Sequence, residues 1–252
     1  MLPWIDEDTP LPPTTLALGP EDEAPGLLAA GGRVTVARLN EAYRKGVFPW
    51  FSAGQPVLWW SPDPRMVLPV AEFRLSHSLR KTLRRFTRNP GCTVKIDSAF
   101  ANVIEACARK PREGQDGTWI LPTMVQAYID WHHIGRVHSV ETWVDGELVG
   151  GLYGVSIGRM FFGESMFSHR PDASKIALAA LVAFCRHHGI TLIDCQQNTE
   201  HLASMGAREI TRAAFELHLA QALQAPDVLD WTYDEAHWRA LNLHATPPEP
   251  PA

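Results

Sequence analysis

Asp145-Gly146 stands between two segments whose apolar and polar residues alternate, His138 to Val144 and Glu147 to Ser156. A period of two sends alternate side chains to opposite faces of an extended strand, and Asp-Gly supplies the two positive-φ positions of a tight hairpin turn. An antiparallel hairpin is therefore predicted here, and a third strand from Arg159 to Gly163 extends it into a meander. Short apolar runs elsewhere (Val57 to Trp60, Met66 to Val70, Thr93 to Ile96, Thr191 to Cys195) alternate with helical periods. Thr35 is a predicted N-cap for a helix whose apolar face is Val36, Leu39, Ala42 and Tyr43 and which Gly46 stops. Ser76 or Ser78 opens another to about Arg88, Ser98 one to about Arg109, and Pro122 fits the first turn of one ending before Gly135. Ala173 to His188 reads as a long apolar helix closed by Gly189, and Thr211 to Leu223 as the last amphipathic helix. The rhythm is α+β, with no internal repeat.

Residues 1–25 hold six prolines and six acids, and the last six residues hold four prolines, so both ends are expected to be loosely structured. The predicted organisation is a small N-terminal domain over residues 1–60, a main domain over 61–225 and a C-terminal extension over 226–252 with a disordered end. The 252 residues, 45% of them hydrophobic, are enough for a buried core. Cys92, Cys107, Cys185 and Cys195 form no Cys-x-x-Cys pair, which excludes the usual zinc and redox motifs. Acids and prolines precede the first base, and no apolar run reaches the roughly 18 residues of a membrane span. A cytoplasmic, monomeric protein without membrane contact is expected.

The net charge of -5 argues at first against a nucleic-acid partner. The acidity is at the ends. Residues 1–32 hold six acids and no Lys or Arg, and residues 225–252 hold five acids and one Arg, leaving 22 bases against 17 acids between them. Within that body Arg74, Arg80, Lys81, Arg84, Arg85 and Arg88 fall in fifteen residues with no acid from Phe73 to Ile96. On a helix Leu75, Leu79, Leu83 and Phe86 form one stripe, so the charges take the other side, as a solvated face or as a phosphate-binding one. Trp50 and Trp119, set in Gly/Pro/polar loops, are the tryptophans best placed to stack on a base; the others read as core.

Glu164 stands among apolar residues at a strand end and needs a partner if buried, which a ligand ammonium would supply. Ser165 fails the nucleophile-elbow pattern because Phe167 replaces its second glycine. In Asp194-Cys195-Gln196, the carboxylate and the amide share a face of the strand while Cys195 points away. His132-His133 and His187-His188 lack ligand spacing, since adjacent helical residues diverge, so no metal site is expected. Gly150-Gly151-Leu152-Tyr153-Gly154 lies inside a predicted strand, where it cannot cradle a phosphate.

Seven segments together resemble bacterial leucyl/phenylalanyl-tRNA-protein transferases: Gly26-Leu27-Leu28-Ala29, Gly46-Val47-Phe48-Pro49-Trp50-Phe51, Trp59-Trp60-Ser61-Pro62-Asp63-Pro64-Arg65, Gly117-Thr118-Trp119-Ile120, Gly163 to Ser168, Ala173-Ser174-Lys175 and Leu192 to Gln196. The resemblance implies a small N-terminal domain before a GNAT-like acyltransferase domain whose central, mostly antiparallel sheet is flanked by helices. It implies transfer of Leu, Phe or Met from aminoacyl-tRNA to the α-amine of proteins beginning with Arg or Lys, marking them for degradation, without cofactor or metal. Trp50 and Trp119 would hold the terminal adenosine, and Arg80, Lys81, Arg84 and Arg85 the acceptor-stem phosphates. Glu164 would contact the aminoacyl amino group, Phe161, Met166 and Ser168 would form the side-chain pocket, and Asp194 would polarise the Gln196 amide as proton acceptor. Leu152 stands where a pocket methionine is expected, and Phe162 where a smaller residue is. Two rivals are a CoA-dependent N-acetyltransferase, which lacks its glycine-rich turn at Arg170 to Lys175, and a non-catalytic tRNA-binding protein.

Overall fold

The hairpin turn forms as expected: Asp145 and Gly146 have φ of +52° and +79°, and Val144 lies opposite Glu147. The computed structural model describes residues 2–109 and 120–243. The strands are β1 (Trp4–Ile5), β2 (Leu27–Gly31), β3 (Phe48–Pro49), β4 (Leu58–Trp60), β5 (Arg65–Pro69), β6 (Cys92–Ile96), β7 (Val137–Val144), β8 (Glu147–Ile157), β9 (Met160–Ser168), β10 (Leu192–Gln196) and β11 (Arg208–Ile210). The helices are α1 (Val36–Arg44), α2 (His77–Phe86), α3 (Phe100–Arg109), α4 (Pro122–His133), α5 (Ala173–His188), α6 (Glu200–Ser204) and α7 (Arg212–Ala222), with a 3-10 helix at Glu235–Leu241.

The strands make a four-stranded sheet, β1-β2-β4-β3, and a seven-stranded one, β11-β5-β10-β9-β8-β7-β6. The large sheet is antiparallel except for β9 and β10, which α5 joins as a crossover. Each of its faces covers a separate core. On one, Phe100, Tyr128, Trp131, Tyr153 and Phe162 pack with Tyr43 and Trp59 of the N-terminal segment. On the other, Leu68, Val140, Phe161 and Ile193 meet α2, α5 and the 3-10 helix. Gly150 lets α5 approach β8, because a Cβ there would lie 2.5 Å from the Ala173 Cβ.

Thr35, Ser76 and Thr211 cap α1, α2 and α7 through their side chains. Ser98 does not cap α3 as expected. Its hydroxyl donates to Glu141 of β7, and that buried carboxylate also accepts from the Ala99 N–H at 2.7 Å, a helix-opening role taken by a residue distant in sequence. The third strand runs five residues beyond Gly163, to Ser168. The N-terminal segment is less loose than its composition implies: β1 pairs with β2, and Ile5 and Leu11 are buried. After α7 the chain returns to α5, burying Trp238, Leu241 and Leu243. Apolar anchors fix both segments despite their acids and prolines. No described helix is long and apolar enough to cross a membrane.

Candidate active site

β9 and β10 pair only at Phe161–Ile193 and Phe162–Asp194 and then part. Each breaks register with its other neighbour at this level. Glu164 is the extra residue between the Gly154–Gly163 and Tyr153–Ser165 pairs, and Cys195 the extra one between Asp194–Val67 and Gln196–Met66. Bulges bend strands and re-aim side chains. Past the bulges opens a cavity of about 550 Å³, lined on its apolar side by Phe48, Trp50, Leu152, Met166, Leu178 and Ile193. Its polar groups include Glu164, Asp194 and Gln196.

Glu164 receives three hydrogen bonds: from Tyr43 Oη at 2.7 Å, from Gln196 Nε2 at 2.9 Å and from Tyr128 Oη at 3.1 Å. The two phenol oxygens also lie 2.6 Å apart, a contact that is a hydrogen bond when one phenol turns its proton from Glu164 to the other or when Glu164 carries a proton of its own. Burial, reinforced by the Asp194 charge, pushes the Glu164 carboxyl up to about 7 against the phenol hydrogen bonds, which favour the anion. Burial first, and Glu164 next, push both phenols well above their ordinary range, so they stay protonated donors.

Asp194 is fully buried and held bidentately by Arg65, with Nε–Oδ1 at 2.8 Å and Nη2–Oδ2 at 2.6 Å. Arg65 Nη1 reaches the Gly46 carbonyl, and its guanidinium lies over the Phe48 and Phe215 rings. Asp194 does not polarise the Gln196 side chain. Its Oδ1 accepts from the Gln196 backbone N–H at 3.0 Å, holding that residue at φ +63°, and the side-chain amide donates to Glu164 instead. Alternation along β10 predicted otherwise because it does not anticipate a bulge. The bulge also brings Cys195 into the lining, where burial pushes its thiol up and leaves it a poor nucleophile.

Trp50, Leu152, Glu164, Met166, Asp194 and Gln196 thus line one cavity. Phe161 and Ser168 do not. Phe161 points into the opposite core beside Trp231, and Ser168 accepts from the Ser174 N–H at 3.1 Å at the start of α5. Phe162 likewise leaves the pocket, meeting Tyr43 edge-on at 5.1 Å. Trp119 lies outside the described residues. Arg80, Lys81, Arg84 and Arg85 lie on α2, which Thr82 ties to Asp172 beside the start of α5. Arg80 and Arg84 donate to the carbonyls of Asn242 and Leu243.

Arg65, Tyr43 and Tyr128 escaped the sequence reading. Arg65 closes the Trp59-to-Arg65 motif just before the apolar run Met66 to Val70, Tyr43 reads as part of an apolar helix face, and Tyr128 lies within the Pro122 helix without a signal of its own.

Residues 67–220 match the family model for leucyl/phenylalanyl-tRNA protein transferase, and residues 32–63 match that for the N-terminal domain of the same transferase. A leucyl/phenylalanyl-tRNA--protein transferase of Methylibium petroleiphilum is 66% identical over 97% of this chain and 92% of its own length. One from Leptothrix cholodnii is 65% identical over 96% and 95% respectively. Among solved structures, a Bacteroides thetaiotaomicron protein of unknown function aligns over 56% of this chain and 53% of its own at 14% identity, with a TM-score of 0.42, too weak a likeness to identify the fold.

Proposed function

Because the chain belongs to the leucyl/phenylalanyl-tRNA-protein transferase family, we propose that the cavity between β9 and β10 receives the aminoacyl-adenosine end of a charged tRNA. The enzyme moves leucine or phenylalanine from aminoacyl-tRNA to a protein acceptor. The acceptors are proteins with N-terminal Arg or Lys, which the added residue marks for degradation, and methionine is a third donor. Residues 61–225 are a GNAT-like acyltransferase domain, 1–60 its N-terminal companion and 226–252 a C-terminal extension. The enzyme works as a monomer in the cytoplasm.

The reaction needs no covalent enzyme intermediate. The donor ester is already activated, and an α-amine with a pKa of roughly 7.7 to 8.0 is partly neutral at cellular pH. The amine nitrogen attacks the ester carbonyl, an amide bond forms, the bond to the ribose oxygen breaks, and the amine's proton ends on that oxygen. Juxtaposition and charge stabilisation are the enzyme's main tasks.

The observation that carries the assignment of roles is the pairing of Glu164 with Gln196 in a cavity whose other side is lined by Phe48, Trp50, Leu152, Met166, Leu178 and Ile193. Glu164 takes the ammonium of the donor amino acid, while Leu152, Met166, Leu178 and Ile193 take its side chain. The Gln196 amide directs its nitrogen to Glu164, leaving its oxygen to receive a hydrogen bond from the attacking amine. Trp50, whose carbonyl accepts from Trp60 Nε1 at 2.7 Å, stacks on the terminal adenine, with Trp119 as the second platform. Arg80, Lys81, Arg84 and Arg85 hold the acceptor stem.

Labelled Leu-, Phe- and Met-tRNA offered with peptides beginning in Arg, Lys or Ala test this reading. Label is expected on the Arg and Lys peptides only. Equal labelling of the Ala peptide overturns the acceptor rule, and a Met donor as inert as an uncharged tRNA overturns the wider donor range.

A further inference from the structure

α5 ends in His187 and His188, and the 3-10 helix brings His237 back against them. One ring nitrogen from each lies within 4.8 Å of the others, and no other group of three His, Cys, Asp or Glu among the described residues meets at such range. Neighbouring helical residues normally diverge, but here the helix stops: Gly189 turns left-handed at φ +71°, and the two rings stand 4.8 Å apart, centre to centre, at 77°. His237 closes the group with its ring 4.7 Å from His187 and 5.9 Å from His188. None of the three lines the catalytic cavity.

The surroundings suit a cation. Phe184 backs His188 at 4.1 Å and Tyr233 backs His237 at 5.2 Å, while the exposed edge of His187 leaves a path from solvent. Besides one another's imidazoles, the charged groups acting on His188 and His237 include two carboxylates, Asp230 and Asp234, and one guanidinium, Arg159. Imidazole nitrogens favour zinc, copper and nickel over magnesium or calcium.

We propose that His187, His188 and His237 bind one divalent transition-metal ion, with water completing its coordination, and that the ion fastens the C-terminal 3-10 helix to the end of α5. Nitrogens bound tetrahedrally to zinc at about 2.0–2.1 Å lie about 3.3 Å apart, so the trio closes by side-chain rotation rather than backbone movement. His237 Nδ1 accepts from the Asp234 backbone N–H at 3.1 Å. On ligation the ring gives up that bond, and water replaces it because Asp234 is exposed. The fastened segment is the one whose Asn242 and Leu243 carbonyls accept from Arg80 and Arg84, so the ion also steadies one flank of the basic helix.

Titration of the full chain, carrying no polyhistidine tag, with Zn²⁺ against a chromophoric chelator tests the site. The expected result is one tight equivalent, reversed by EDTA, with a rise in the thermal midpoint that EDTA abolishes. His187→Ala removes an exposed side chain and His188→Gln one that makes no cap, so both variants keep the fold. Each is expected to weaken zinc binding at least about tenfold. Absence of a tight equivalent, or one whose affinity is unchanged in both variants, overturns the proposal.

Discussion

Glu164 titrates near neutrality because it is enclosed, and that has a consequence for stability. Its folded value of about 7 lies above the ordinary 4.5, so between these pH values the native state holds a proton that the unfolded chain has lost. Stability from this group therefore falls as pH rises through that window and is lowest above pH 7. Glu164→Gln keeps the shape of the protonated acid and removes the charge. Urea midpoints measured across the window are expected to fall less steeply in the variant, which is the more stable form above pH 7, while kcat/KM for aminoacyl-tRNA loses its limb near neutrality. Arg65 and Asp194 behave differently, since both are buried and each is the other's ion-pair partner. Arg65→Met is expected to cost about 3–5 kcal/mol in urea unfolding by leaving Asp194 unpaired, and Arg65→Met with Asp194→Leu to regain most of it. For the same reason Asp194→Ala is a poor probe of chemistry alone. Asp194, Gln196 and Glu164 were legible in the sequence as polar groups at strand ends. Their actual partners were not, because Arg65 is 129 residues from Asp194 and Tyr43 is 121 from Glu164, distances across which no local pattern reports contact.

At the scale of elements, legibility followed the strength of local periodicity. The Asp145-Gly146 hairpin, α1 from its Thr35 cap and α5 closed by Gly189 all rest on interactions within a few residues, which a period or a cap records. Where a distant group does the work, the local signal misleads: Glu141 opens α3, so Ser98 is not its cap, and the Glu164 bulge hides the continuation of β9 to Ser168. α2 shows the strong case, with Leu79, Leu83 and Phe86 buried as the stripe predicted. Its cations divide into two groups. Arg80 and Arg84 are oriented by the Asn242 and Leu243 carbonyls, whereas Lys81 and Arg85 face solvent. If α2 holds the acceptor stem, Lys81→Gln with Arg85→Gln removes two phosphate contacts. The slope of log Kobs for tRNA against log salt is then expected to flatten by about 2, with weaker binding at low salt. A filter-binding salt series that leaves the slope unchanged removes these two residues from the interface.

Over the whole molecule, the chain changes sheet between β4, which ends at Trp60, and β5, which enters the larger sheet at Arg65. A change of sheet is not a break in the core. Tyr43 packs edge-on against Phe162 at 5.1 Å and Trp131 at 5.4 Å, joining α1 to the large sheet and to α4. Trp59 belongs to the same buried cluster, and the Glu164 network closes over the Tyr43 hydroxyl. Neither half completes the site, so the arrangement that would align a donor ester also requires both halves to fold together. Phe162→Ala cuts the shared core at its centre and should cost about 3–5 kcal/mol. Because that contact serves both sheets, the loss is expected to fall on a single transition: tryptophan fluorescence and far-UV circular dichroism should give coincident urea midpoints in the parent chain and in the variant. Residues 1–60 produced alone should show no cooperative transition, having left Tyr43 without Trp131, Phe162 and Tyr128. Two separated transitions, with only the later one moved by Phe162→Ala, would mean that the N-terminal sheet holds itself together and merely docks.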